Sequence, residues 1–179
     1  LPTTAQVTFN GGFSQSIDVF GQTLFVANGP GGIQLVQINT SPPTVGDALS
    51  IQPNVGADSP TEAVDVKVRG LNLVVAAGSM IELFDLSTAP YQSVATFSAT
   101  YASRAEFLEQ AVNGETHLFV YITDNVGGLR VFDVTNSTYP INIGSVLLPN
   151  LETATSVLIA NDGQHAFVGT ATSLHVVRL

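Results

Sequence analysis

The sequence predicts an all-β fold built from one repeated four-strand unit, and three observations carry that prediction. Four hexapeptides share an ungapped pattern: Ile33-Gln34-Leu35-Val36-Gln37-Ile38, Ile81-Glu82-Leu83-Phe84-Asp85-Leu86, Leu129-Arg130-Val131-Phe132-Asp133-Val134 and Leu174-His175-Val176-Val177-Arg178-Leu179. A proline followed by Leu or Phe at one fixed spacing occurs at Pro2/Phe9, Pro42/Leu49, Pro90/Phe97 and Pro140/Leu147. Gly-rich and Asn-Gly turn signals separate these segments, and no stretch has helical periodicity. Repeats at such spacing define a chain's architecture.

Each unit divides into the same parts. An opening strand reads Ser16-Ile17-Asp18-Val19, Ala63-Val64-Asp65-Val66, Ala105-Glu106-Phe107-Leu108 or Thr155-Ser156-Val157-Leu158. A tight turn follows at Gly21, Gly70, Asn113-Gly114 or Asn161-Asp162-Gly163, the last two being strong hairpin signals. Second strands centre on Leu24-Phe25-Val26, Leu73-Val74-Val75, Leu118-Phe119-Val120 and Ala166-Phe167-Val168. The hexapeptides are the third strands, and the Pro-to-Leu/Phe segments are the fourth.

Every hexapeptide is apolar at its first, third, fourth and sixth positions. Strand alternation sends those positions to both faces, so each sheet is covered on both sides. A two-sheet sandwich would show cleaner polar alternation. Four-stranded sheets stacked between neighbours, as in a β-propeller, give this pattern. The order predicts a single domain over 1–179: an outer strand at 1–10, full blades at 16–50, 63–98 and 105–149, and three inner strands at 154–179. The N-terminal strand then completes the last blade, making four four-stranded blades.

The segments Gly127-Gly128-Leu129-Arg130-Val131-Phe132-Asp133-Val134, with Pro140 downstream, and Ile81-Glu82-Leu83-Phe84-Asp85-Leu86-Ser87, with Pro90, resemble the LVIVD-repeat β-propellers. Many of these are extracellular or exported proteins of bacteria and archaea. The resemblance implies a propeller fold and names no reaction.

Closure has three forms in this scheme. Val7 and Phe9 pair with their own chain's Leu174, Val176 and Leu179; two chains join in an eight-bladed ring; or the strand is donated to the next molecule. Donation is a heterologous contact that does not close, so it builds a filament.

Composition narrows function. Fourteen acidic residues against five Lys and Arg leave a net charge of −9, which disfavours nucleic acid and anionic membranes. No apolar run reaches the length of a membrane-crossing helix. Only 11 % of residues are charged, so Thr, Ser, Asn and Gln build much of the surface, an exported or cell-surface style. Absence of Cys excludes disulfides and thiolate metal sites. The start Leu1-Pro2-Thr3-Thr4 fits a mature end left by signal-peptide removal, and equally a trimmed chain. Asn39-Thr40-Ser41 and Asn136-Ser137-Thr138 match the acceptor sequon and make Asn39 and Asn136 candidate glycosylation sites, although chance sequons are common in a chain this rich in Thr and Ser.

Chemistry-bearing residues are few. Asp18, Asp65 and Glu106 share a position on the opening strands, which line a propeller's channel. Together they form a candidate Ca²⁺ site at the channel mouth through oxygen ligands; separately they accept main-chain hydrogen bonds. Asp85 and Asp133 precede turns and are expected to cap them. Asp124-Asn125-Val126-Gly127-Gly128 reads as a Gly-rich turn. His117, His165 and His175 lack zinc-ligand spacing, and no nucleophile elbow or phosphate loop occurs. Tyr91, Tyr101 and Tyr139 cover blade edges or stack on sugars.

These observations lead to a non-enzymatic extracellular structural or interaction module, self-assembling through its N-terminal strand into a filament or surface assembly. Its expected partners are copies of itself, other surface proteins or glycans, and it needs no cofactor. The alternatives are a ligand- or Ca²⁺-binding propeller and, last, a hydrolase.

Overall fold

Strand alternation and glycine-permitted reversals give an all-β chain. The structure is a computed structural model and describes residues 6–9, 11–38, 43–45 and 62–179. Strands β1 (Ser16–Phe20), β2 (Thr23–Ala27), β3 (Ile33–Gln37) and β4 (Thr44–Val45) form an antiparallel sheet in chain order. A second sheet holds β5 (Asp65–Arg69), β6 (Asn72–Asp85), β7 (Gln92–Val112), β8 (Glu115–Asp124), β9 (Leu129–Asp133) and β10 (Ile141–Val146). The third sheet is three-stranded: β11 (Ser156–Ile159), β12 (His165–Gly169) and β13 (Leu174–Arg178).

Strand β6 is not one straight ribbon. Extended, its residues would span on the order of 45 Å. Yet the Leu86 N–H donates to the Leu71 carbonyl at 2.8 Å, so its two ends lie side by side. The same contact closes the β2–β3 hairpin, from Ile38 N–H to Gln22 carbonyl at 2.9 Å. The reversal falls at Gly78, whose φ of 60° suits glycine. Strand β7 changes partner at Ala102, which bridges Gly78 on one side and Asp124 on the other. Its first part extends the β6 hairpin, and its second part starts the β7–β8 hairpin.

Packing is face to face and sequential. β1 lies against β5, β5 against β7, and β7 against β11. Three apolar clusters fill the spaces between. Phe25, Ile33 and Leu35 meet Val66, Leu73 and Phe84. Val74, Ile81 and Leu83 meet Val120, Ile122 and Phe132. Tyr121 and Leu129 meet Leu148, Ala166 and Val168. Among the described residues no cluster joins the last sheet to the first.

Among the described residues the expected closing strand is not formed. Residues 6–9 carry no ladder, residues 1–5 lie outside the described residues, and β13 has no strand on its outer side among the described residues. The physical reason lies at the two ends of the stack. Ile17 on β1 is 63 % exposed and Leu174 on β13 is 66 % exposed, so the faces that ring closure would bury remain apart.

Candidate functional site

The three carboxylates proposed for a cation do not gather. Among the described residues no group of three or more His, Asp or Glu side chains is placed to hold a metal. Asp18 accepts the N–H of Val19 and, across the sheet interface, that of Val68, both at 2.8 Å. Asp65 is buried and accepts the N–H of Ala105 at 2.9 Å. Glu106 lies 3.9 Å from the Lys67 ammonium. Asp18 and Glu106 share a cleft of about 240 Å³ with Lys67, Arg69 and Glu109, whereas Asp65 does not line it. Each carboxylate thus has a local partner: strand N–H groups that would otherwise be unsatisfied, or an ammonium.

Turn carboxylates behave as their positions suggest. Asp85 accepts from the Ser87 hydroxyl at 2.6 Å, and this holds its carboxyl below the usual range. Asp133 accepts the Thr135 N–H at 2.9 Å and lies 2.8 Å from His117 Nδ1. Asp124 is buried, and its Oδ1 accepts the main-chain N–H groups of Thr100 (2.6 Å) and Tyr101 (2.8 Å). Asn136 accepts from Thr138 N–H and hydroxyl within an exposed turn, while Asn39 lies outside the described residues. Tyr91 packs tilted on Phe25, ring centroids 5.7 Å apart. Tyr101 donates to Glu62 at 3.2 Å, and Tyr139 is exposed.

Sequence reasoning missed one polar cluster. Glu152 Oε2 accepts from the hydroxyls of Thr170 (2.9 Å) and Ser173 and lies 3.2 Å from His175 Nε2. Ser173 Oγ is 2.9 Å from the same Nε2. A nucleophile relay needs carboxylate and hydroxyl on opposite ring nitrogens. Here both address one nitrogen, so the cluster does not have the geometry of such a relay. Its signal, a Glu distant in sequence from a Ser-x-His, is too common to find in advance.

What the structure does bring together is a sheet edge with no partner strand among the described residues, set beside apolar surface. Val177 on β13 and Leu179 just after it turn inward to the third cluster, while Leu174 and Val176 face outward. Leu158 on β11 is exposed in the same manner. At the opposite end of the stack, Asp18 and Phe20 face β5, leaving Ile17 and Val19 outward. Beside the β13 edge a groove of about 330 Å³ is lined by Phe119, Tyr121, Val131, Ile143, Val177 and Leu179, among others. Strand β10 flanks it with Ile141 and Ile143 exposed, although its sequence equivalent at the start of β7 is mostly half-buried. Residues 6–9 alternate, with Val7 and Phe9 half-buried and Gln6 and Thr8 exposed. Of the five residues foreseen for the closing strand, Leu174 and Val176 lie on β13 and Leu179 directly follows it, while Val7 and Phe9 are half-buried outside any strand, and no ladder among the described residues joins the two groups.

Comparison with known proteins places the fold. The LVIVD repeat model matches residues 112–147, the span from the end of β7 through β10. No curated protein matches the chain in sequence. Among solved structures, the β-propeller domain of Cps50 (Swd1) from Myceliophteria thermophila superposes with a TM-score of 0.64 at 11% identity, covering 88% of this chain and 54% of that one. The computationally designed Ika4 protein gives 0.61 at 12% identity, covering 99% of this chain and 98% of that one. The designed Ika8 protein gives 0.56 at 12% identity over 93% of this chain and 46% of that one.

Proposed function

We propose that this chain, which carries an LVIVD repeat on a propeller-like fold, is a non-enzymatic extracellular structural module that joins copies of itself by strand donation. In this scheme the segments group into three four-stranded blades and a three-stranded last blade. The missing strand, residues 2–9, comes from a second copy.

The observation that carries the proposal is the β13 edge, unpaired among the described residues and set beside an apolar groove. Unpaired edges are templates for another strand, and proteins normally cover them. The two ends of the stack also complement each other. A donated strand on β13 brings its own β1 behind it, so Ile17 and Val19 of one copy meet Leu158, Leu174 and Val176 of the next. Each contact joins unlike surfaces, so copies add head to tail. Repetition within the chain fixes the register. In the second sheet Phe97, Thr96 and Ala95 stand opposite Ile81, Glu82 and Leu83. The equivalent residues place Phe9, Thr8 and Val7 opposite Leu174, His175 and Val176.

Sedimentation across a concentration series tests this. The intact chain is expected to grow into assemblies, and a chain lacking residues 2–9 is expected to stay monomeric. A strict monomer at high concentration overturns the proposal.

A further inference from the structure

Asn28 is almost fully buried, at 1 % exposure, yet among the described residues neither Nδ2 nor Oδ1 of its side chain has a hydrogen-bond partner. A buried amide in that state costs free energy and calls for an explanation. The internal repeat supplies one. Asn28 opens the β2–β3 turn as Asp124 opens the β8–β9 turn. The Asn28 N–H donates to the Gly32 carbonyl at 2.9 Å and the Asn28 carbonyl accepts the Gly31 N–H at 3.0 Å, just as the Asp124 N–H donates to the Gly128 carbonyl at 2.8 Å and the Asp124 carbonyl accepts the Gly127 N–H. Gly29 bridges Ala63 as Asn125 bridges Ala154.

The side chains differ in what they hold. Asp124 Oδ1 gathers the N–H groups of Thr100 and Tyr101, which lie within β7 where one repeat unit's outer strand runs into the next unit's first strand. The pairings Ser16↔Ala27 and Arg104↔Thr123 are equivalent. Counting back equally from Ser16 and Arg104 puts Gly12 in the place of Thr100 and Phe13 in that of Tyr101. Gly12 is already against Asn28: a Cβ there would sit 1.9 Å from the Asn28 carbonyl oxygen, so only glycine fits. Phe13 rests its ring over Gly29. Among the described residues the Gly12 and Phe13 N–H groups make no hydrogen bond.

We infer that the Asn28 carboxamide is the receptor for the Gly12 and Phe13 main-chain N–H groups, filled when the preceding segment is drawn into a neighbour's sheet. This rests on the strand-donation proposal and makes Asn28 its positioning residue. It also accounts for the amide. A carboxylate left empty at this depth would be an uncompensated buried charge, while a neutral carboxamide tolerates vacancy. Asp124 needs no such tolerance, because its donors come from its own chain.

Amide hydrogen exchange at low and high protein concentration tests the inference. On assembly the β13 amides are expected to slow, and those of Gly12 and Phe13 to slow with them by about tenfold or more. Asn28→Asp should keep that slowing, and Asn28→Leu should lose it at Gly12 and Phe13 alone. If β13 slows while Gly12 and Phe13 do not, the receptor role is wrong and strand donation stands. If β13 slows at no concentration, strand donation fails and this inference with it.

Discussion

The buried Asp65 carboxylate accepts the Ala105 N–H at 2.9 Å, so the first strand of one structural unit satisfies the first strand of the next. Asp18 does the same for Val68 at 2.8 Å. These bonds run along the inner line of the stack, where apolar side chains cannot serve main-chain donors. Asp65→Ala leaves a buried N–H unpaired and should lower unfolding free energy by about 1–3 kcal/mol, measured in urea. Asp65→Asn keeps an acceptor and should cost clearly less.

Apolar contact between units is the larger contribution. Phe132 is fully buried, with its ring 4.7 Å from Phe97, and it couples β9 to the outer strand before it. Phe132→Ala should destabilise by about 3–5 kcal/mol, read from the denaturation midpoint.

Gly128 has no tolerated replacement. Its φ is +74°, and a Cβ would lie 2.2 Å from the Val146 carbonyl oxygen. Gly128→Ala combines left-handed strain with a backbone clash and should cost more than about 2 kcal/mol, visible as a lowered Tm.

The Glu152 cluster sets an acid limit. Hydrogen bonds from Ser173 first, then His175 and Thr170, hold the Glu152 carboxyl at about 2 against an ordinary 4.5. A carboxyl depressed on folding contributes stability that is fully present above its unfolded value and is lost as pH falls through the folded one. Stability should therefore decline between pH 4.5 and about 2, and Glu152→Gln should weaken that part of the decline in an acid titration. An unchanged titration curve would remove Glu152 from the account.

Much of the fold was legible because the chain repeats its own solution. The pattern shared by Ile33-Gln34-Leu35-Val36 and Leu129-Arg130-Val131-Phe132 located β3 and β9, and both-face apolarity implied stacked sheets. Two features of the sheets were less visible. Residue patterning does not reveal that β7 passes from one partner to another at Ala102, because a bridge residue obeys both alternations. Nor does it show whether the two ends of the stack meet, since Ile17 and Leu174 look like core residues whether or not a partner covers them. The site was harder. Asp18, Asp65 and Glu106 share a sequence position, but equivalent positions in successive units point at successive neighbours, so equivalence separates them. Asn28 escaped notice because its meaning is a missing bond, and sequence shows residues, not vacancies.

The end faces should govern association without governing the fold. Ile17 and Leu158 are exposed. Ile17→Asp or Leu158→Asp should change stability by no more than about 0.5 kcal/mol and still abolish growth in light scattering. Equal growth by these variants would disconnect the faces from assembly.

The most direct measurement uses a chain without cysteine. Val7→Cys and Val176→Cys place one thiol on the donated segment and one opposite it on β13. Oxidation followed by non-reducing electrophoresis should give a ladder of disulfide-linked multimers that collapses on reduction. A cross-linked monomer would mean that the strand closes its own ring, and no cross-link at all would contradict the pairing itself.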